Sequence, residues 1–99
     1  GGDGLVVTRA RIHSADDSVA LYTISDLNSQ YIYNDTTNAR VEDCELRSLN
    51  ASCIGLGALD VDAAGTVTGI TIRNIDGTAG GRYPLRLYNL GGSDCTVSG

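Results

Sequence analysis

The stretch NARVEDCELRSLNASCIGLG, residues 38–57, decides the fold. Ala39 and Val41 form a short apolar pair, Cys44 and Leu46 a second, Ile54 and Leu56 a third. Within each pair the intervening residue points the other way, the period-two pattern of a strand with one buried face. Glu42-Asp43 splits the first two pairs, and Asp suits a sharp turn because it tolerates the left-handed backbone region. The same three-beat order recurs upstream in GLVVTRARIHSADDSVALY, residues 4–22, and downstream in GITIRNIDGTAGGRYPLRLY, residues 69–88. The breaks there fall at Thr8-Arg9 and Arg73-Asn74. Asn fits such a break well and Arg9 less well.

Aligned, the first pairs give a column Leu5, Ala39, Ile70 and Cys95, beside a column Val7, Val41, Ile72 and Val97. The third pairs give Val19, Ile54 and Leu85 beside Leu21, Leu56 and Leu87. Spacing along the first column shrinks from 34 to 31 to 25 residues, and most of the change falls in the loop after the third pair. Constant strands with one variable loop mark a solenoid, in which no repeat buries its apolar face alone. Three short strands per repeat and no helical stripe predict an all-β fold, a parallel β-helix. About three coils of a longer helix are expected, spanning 5–38, 39–69 and 70–94, with a further coil starting at 95–99. The competing architecture is a β-sandwich of hairpins. Sparse Asn-Gly and Asp-Gly dipeptides between adjacent runs count against it. With no amphipathic end helix, the chain reads as an excerpt, or as one that needs neighbouring β-helix coils at its open edges.

Composition agrees. The chain has 99 residues, 13 of them Gly, one Pro, and neither Phe, Trp nor Met. Val, Ile, Thr and Tyr are abundant while helix formers are scarce. Twelve carboxylates against seven Arg leave a net charge of -5, which excludes a nucleic-acid partner because phosphates demand a basic face. No apolar run has transmembrane length, so no membrane insertion is expected. Three Cys at irregular spacing indicate neither a disulfide framework nor a metal site. No cofactor and no metal are expected, and a Ca²⁺ site at Asp60, Asp62 or Asp76 has nothing to support it.

At SADDSVAL, residues 14–21, the chain resembles the polygalacturonase-type glycoside hydrolases of the pectin-lyase-like β-helix superfamily. Those enzymes carry Asn-Thr-Asp, Asp-Asp, Gly-His-Gly and Arg-Ile-Lys on one face of successive coils. Asp16-Asp17 precedes Val19 as the family pair precedes its strand. The Gly-His-Gly position falls on Ala51-Ser52-Cys53, and the Arg-Ile-Lys position on Arg86-Leu87-Tyr88. Ser52 and Tyr88 therefore stand where the family has His and Lys, and the family's first Asp would lie upstream of residue 1. The resemblance implies a right-handed helix and inverting hydrolysis of glycosidic bonds. It implies Asp16 as general acid and Asp17 as a group that activates water. Arg86 would bind sugar oxygens, with Tyr88, Ser52 and Arg82 as further substrate contacts. The partner implied is a polysaccharide or oligosaccharide, met outside the cell, in a secreted or cell-surface setting.

Such chemistry needs a protonated carboxyl and a carboxylate, about 6.5–9.5 Å apart when the configuration inverts. Adjacent strand residues face opposite ways, so Asp16 and Asp17 can share a groove only where the chain kinks. Net negative charge and the loss of the family Lys point to a neutral or weakly acidic sugar. The runner-up is a non-catalytic carbohydrate-binding or adhesive β-helix of tailspike or cell-surface type, favoured by the lost His and Lys. A Ca²⁺-dependent lyase is weaker still. Each singled-out residue also has a plainer reading. An Asp-Asp pair is ordinarily a solvated turn, and Arg86 an ordinary surface cation. Tyr22, Tyr83 and Tyr88 stack on sugars or merely cover the coil edge. His13 is an outward residue, Cys44 and Cys95 are core, and Cys53 is expected to face outward without a partner. Asn34-Asp35-Thr36 and Asn50-Ala51-Ser52 match the glycosylation sequon.

Overall fold

The computed structural model describes residues 2–23, 36–58, 67–81, 83–88 and 94–98. They form only strands: β1 (Gly2–Asp3), β2 (Val6–Thr8), β3 (Arg11–Ser14), β4 (Val19–Thr23), β5 (Thr36–Thr37), β6 (Arg40–Ser48), β7 (Ile54–Ala58), β8 (Val67–Ala79), β9 (Leu85–Tyr88) and β10 (Asp94–Ser98). Every pairing is parallel. One sheet holds β1, β2, β3, β5, β6, β8 and β10, and the other holds β4, β7 and β9. The chain alternates between them, and each return lands beside the strand laid down one repeat earlier. Parallel pairing between consecutive repeats, with no hairpin among the described residues, rules out the sandwich of hairpins there.

The registers follow the sequence columns. Val7 pairs with Val41 and Val41 with Ile72, and Cys95 and Val97 lie beside Ile70 and Ile72. In the second sheet Val19 pairs with Ile54 and Ile54 with Leu85, while Leu21, Leu56 and Leu87 form the next row. The variable loops after the third pairs fall largely outside the described residues.

Two backbone corners per repeat keep these rows aligned. Arg9, Asp43 and Asn74 all have φ between 51° and 55°, so each break is a left-handed kink. Five residues earlier a second row, Gly4, Asn38 and Gly69, has φ of 79°, 56° and 66°. A left-handed residue costs roughly 1–2 kcal/mol unless it is Gly, or Asn or Asp with local hydrogen bonds. The Asn74 amide donates to Asp43 Oδ1 at 2.8 Å, tying one kink to the next. Arg9 has no such side chain, and its backbone N–H instead bonds Glu42 O at 3.2 Å.

The core lies between the sheets and is densest in the middle repeat. Ala39, Val41, Leu46 and Leu56 there are fully buried, as are Val67 and Ile70. Leu5, in the first repeat, is 47% exposed because nothing described lies beyond it. Cys53 does not face outward, contrary to the reading of its sequence. It is buried, and its thiol packs against Gly77, where a Cβ would come within 3.2 Å of the sulfur. Gly77 follows Ile12 and Leu46 in an inward row, so the missing side chain leaves a hole that Cys53 fills. The thiol donates to backbone oxygens of Leu46 and Thr78 at 3.4 and 3.3 Å.

Polar ladders clothe the outer face. Glu42 is largely buried under two cations, Arg40 at 2.9 Å and Arg73 at 3.3 Å. Glu45 accepts from Arg11 at 2.9 Å and His13 at 3.0 Å, and Arg47 reaches Asp76 at 3.1 Å. Among the described residues no helix is long and apolar enough to cross a membrane.

The rows predict unequal costs for the same deletion. Leu46→Ala, in the middle repeat, should lose about 2–5 kcal/mol of unfolding free energy in urea titrations. Leu5→Ala, at the open end, should lose about 1 kcal/mol or less. Equal losses would contradict a core concentrated in the middle repeat.

Candidate functional site

The corner between the two sheets is where the chemistry-bearing residues gather. Residues 14–18 and 48–53 turn this corner in the first two repeats, and residues 79–81 and 83–84 lie there in the third. Leu49 N–H bonds Ser14 O at 2.8 Å, Asn50 N–H bonds Ala15 O at 3.0 Å, and Gly80 N–H bonds Ser48 O at 2.8 Å. Gly80 is required here, since a Cβ would lie 1.8 Å from the Leu49 carbonyl oxygen. Two serines anchor Asp16: Ser14 Oγ and Ser48 Oγ donate to its carbonyl at 2.6 and 2.8 Å. The chain therefore kinks between β3 and β4, so Asp16 and Asp17 lie outside the strict alternation of a strand.

The two carboxylates have different surroundings. Asp17 is half-buried and both its oxygens are engaged. Ser52 N–H donates to Oδ1 at 2.9 Å, and the Tyr22 hydroxyl donates to Oδ2. Asp16 is exposed, with Oδ1 accepting the Asp17 N–H at 2.8 Å and Oδ2 taking no bond from the described residues. Gly55 makes the Tyr22–Asp17 contact possible. A Cβ on Gly55 would lie 1.8 Å from the Tyr22 hydroxyl and 2.8 Å from Asp17 Oδ2. Tyr22 thus crosses over the neighbouring repeat and closes on the carboxylate.

Arg86 follows Ala20 and Gly55 in one outward row, and its side chain is exposed. Two rung spacings separate it from Ala20, roughly 10 Å. Tyr88 lies beneath Gly57 in the backbone register, and its side chain is outside the described set. Arg82 also lies outside the described residues. Ser52 is placed beside Asp17 but is buried, and it offers its backbone N–H rather than an exposed hydroxyl. The structure thus brings together Asp16, Asp17, Ser52 and Tyr22, with Arg86 farther along the wall. Tyr83 is 53% exposed beside the corner. From the sequence Tyr22 reads as a sugar-stacking or edge-covering aromatic, not as a partner of Asp17. The signal for its role was Gly55, a glycine at the outward position of a strand, which marks close approach of another group.

Other singled-out groups have structural employment. His13 bonds Glu45, and Asp76 pairs with Arg47. Asp60, Asp62 and the Asn34-Asp35 part of the first sequon lie outside the described residues. Cys44 is a buried free thiol donating to Glu42 O at 3.1 Å. Among the described residues no group of three His, Cys, Asp or Glu side chains could hold a metal ion. At the far end of the first sheet, Asp3 Oδ1 accepts from Thr37 Oγ1 at 2.6 Å and Asn38 Nδ2 at 3.0 Å. These bonds, the Thr37 one foremost, hold its carboxyl below the usual range.

Comparison with protein-family models, curated proteins and solved structures finds no match to this chain.

Glu45 carries a pH dependence of its own. The hydrogen bond from His13, helped by the charges of Arg11 and Arg47, lowers its carboxyl below the ordinary value of 4.5. The folded state therefore binds this proton more weakly than the unfolded chain. The resulting stability is present in full above the unfolded value and drains away as pH falls through the lowered folded value. Urea midpoints taken from neutral pH to about pH 3 should fall less steeply on acidification in Glu45→Gln than in wild type. Parallel curves would show that Glu45 is not the responsible group.

Proposed function

We propose that this chain is a stretch of right-handed parallel β-helix whose corner wall binds a carbohydrate. The stacked parallel rows support the architecture, and the resemblance to polygalacturonase-type enzymes supplies the handedness. The observation that carries the function is Asp17 gripped by Ser52 N–H and the Tyr22 hydroxyl, next to the exposed carboxylate of Asp16. A rigid acceptor beside a free one, with Arg86 about two rungs away, presents hydroxyl-binding groups of both polarities along one wall. Asp16 and Arg86 would contact the sugar directly. Tyr88 and Arg82 belong to the same strand and its approach, and Ser52 contributes through Asp17. The partner is an oligosaccharide or polysaccharide, neutral or weakly acidic, met in a secreted or cell-surface setting. The protein's charge of -5 disfavours a polyanionic glycan at long range.

Hydrolysis of the polygalacturonase type is the second reading, with Asp16 as the acid and Asp17 as the water-activating group. Pre-organisation of Asp17 favours it, because catalytic carboxylates need fixed positions. Binding without turnover ranks first because Ser52 N–H and the Tyr22 hydroxyl already take one acceptor site on each Asp17 oxygen, leaving fewer for a water. The Ser and Tyr at the family's His and Lys positions weigh the same way.

Calorimetric titration with maltotriose, cellotriose, xylotriose and trigalacturonate separates the outcomes, with reducing-end release measured alongside. A neutral or weakly acidic glycan should bind, and Arg86→Ala should weaken it about ten-fold, as loss of a charge-assisted hydrogen bond does. Asp16→Asn should leave most of the binding. Turnover abolished by Asp16→Asn would promote the hydrolase reading. A clear preference for trigalacturonate, or no glycan binding at all, would overturn the proposal.

A further inference from the structure

The outer face of the first sheet carries a cluster that the corner wall does not use. Arg40 and Glu42 lie on β6, with Thr71 and Arg73 beside them on β8, Arg40 next to Thr71 and Glu42 next to Arg73. Val41 and Ile72, between them, point inward and are buried. The four outward residues therefore mark a square, about 4.8 Å across the strands and about 7 Å along them. β2 flanks it on one side and β10 on the other, so the square lies inside the stack. Arg40 Nε and Nη2 donate to Glu42 Oε1 and Oε2 at 2.9 and 3.1 Å, and Arg73 Nη2 donates to the same Oε2 at 3.3 Å. We infer that this square binds the sulfate-ester group of a singly sulfated saccharide, on a face separate from the corner wall. The oxyanion chemistry stands on the square alone, and the saccharide carrier rests on the carbohydrate reading.

Three observations favour that group. The first is charge. One carboxylate against two guanidinium groups leaves one positive charge over, in a chain of net charge -5. The nearby Arg9 and Asp43 are neighbours on the kink row and offset each other. The second is the supply of donors. Arg40 spends two of its five N–H donors on Glu42 and Arg73 spends one. Their side chains are 56% and 53% exposed, so the remaining donors are within reach of a ligand. Among the described residues the Thr71 hydroxyl has no hydrogen-bond partner. The third is pre-organisation. The Glu42 side chain, only 11% exposed, holds both guanidinium groups in place, and groups already held lose less freedom on binding. Donors from three corners of the square suit a tetrahedral group with three terminal oxygens better than a planar carboxylate with two. The single surplus charge then separates sulfate from phosphate. A sulfate ester carries one negative charge and balances it. A phosphate monoester carries about -1.5 to -2 at pH 7 and leaves charge uncompensated beside Glu42.

Chemical-shift titrations of the full chain at constant ionic strength test this. Galactose 6-sulfate should move the Nε–H signals of Arg40 and Arg73 and the amides of residues 40–42 and 71–73. Arg73→Gln leaves the Arg40–Glu42 pair intact, so its urea midpoint should stay near wild type while affinity falls about ten-fold. Thr71→Val touches no ion pair and should cost about three-fold. Galactose 6-phosphate or galacturonate binding as tightly would overturn the choice of sulfate. Methyl sulfate binding as tightly would overturn the saccharide as carrier. Shifts indifferent to both variants, or reproduced by sodium chloride, would sink the square altogether. The two sites fail separately. Neutral trisaccharides shifting 16–17 and 86, with no response to galactose 6-sulfate at 40–42 and 71–73, would remove the square and leave the corner wall standing. The reverse pattern would remove the corner wall and leave the square.

Discussion

Parallel in-register pairing between consecutive repeats is the constraint on which everything else depends. An antiparallel hairpin can satisfy its backbone within one short segment. A parallel strand cannot, because its partner lies a whole repeat away. Each repeat must therefore reproduce the same outline, or its hydrogen bonds and apolar residues miss those of the neighbour. The left-handed kinks serve that need. Arg9, Asp43 and Asn74 turn the chain at one point of the outline, and Gly4, Asn38 and Gly69 turn it at another. Between them the strand from 39 to 42 lies over the strand from 70 to 73 with no slippage.

Stacking also determines where chemistry can sit. Residues on one outer row are about one strand spacing apart, so small groups in one repeat make room for large ones in the next. Gly55 shows the effect: by lacking a side chain it lets Tyr22 reach across to Asp17. Gly77 does the same inside, where Cys53 fills the space beside it. The Asp16–Asp17 corner is thus held both by near neighbours, Ser14 and Tyr22, and by two groups of the next repeat, Ser48 and Ser52. The Ser48 and Ser52 contacts exist only between repeats, so the corner's geometry depends on the stack.

Much of the architecture was legible because stacking repeats a pattern. The apolar columns and the polar break appear three times, and each occurrence corroborates the others. Val19, Ile54 and Leu85 fall in one column of the sequence, and they pair in that register. The other corner row was equally present, as Gly4, Asn38 and Gly69 just before each first pair, but a Gly before a strand is commonplace and two types share the row. Cys53 was misread because alternation was extended one residue beyond β7 into the corner, where the backbone no longer obeys it. The kink needed at Asp16-Asp17 could be named from the sequence, but the grip on Asp17 could not. It depends on the Tyr22 side chain passing over Gly55 of the next repeat, and single-chain periodicity carries no information on side-chain direction across the ladder. Arg86 lies on an outward row beneath Gly55, and its outward side is legible from the sequence because it alternates with Leu85 and Leu87.

The central claim is that Val19, Ile54 and Leu85 occupy one row of parallel strands, and backbone proton–proton contacts measure it most directly. In isotope-labelled protein, cross-strand amide-to-α contacts should connect the neighbourhood of Val19 to that of Ile54, and Ile54 to that of Leu85, without strong α-to-α contacts among them. Close α-to-α contacts between these strands, the mark of antiparallel pairing, or Val19 contacting some other strand, would contradict the account.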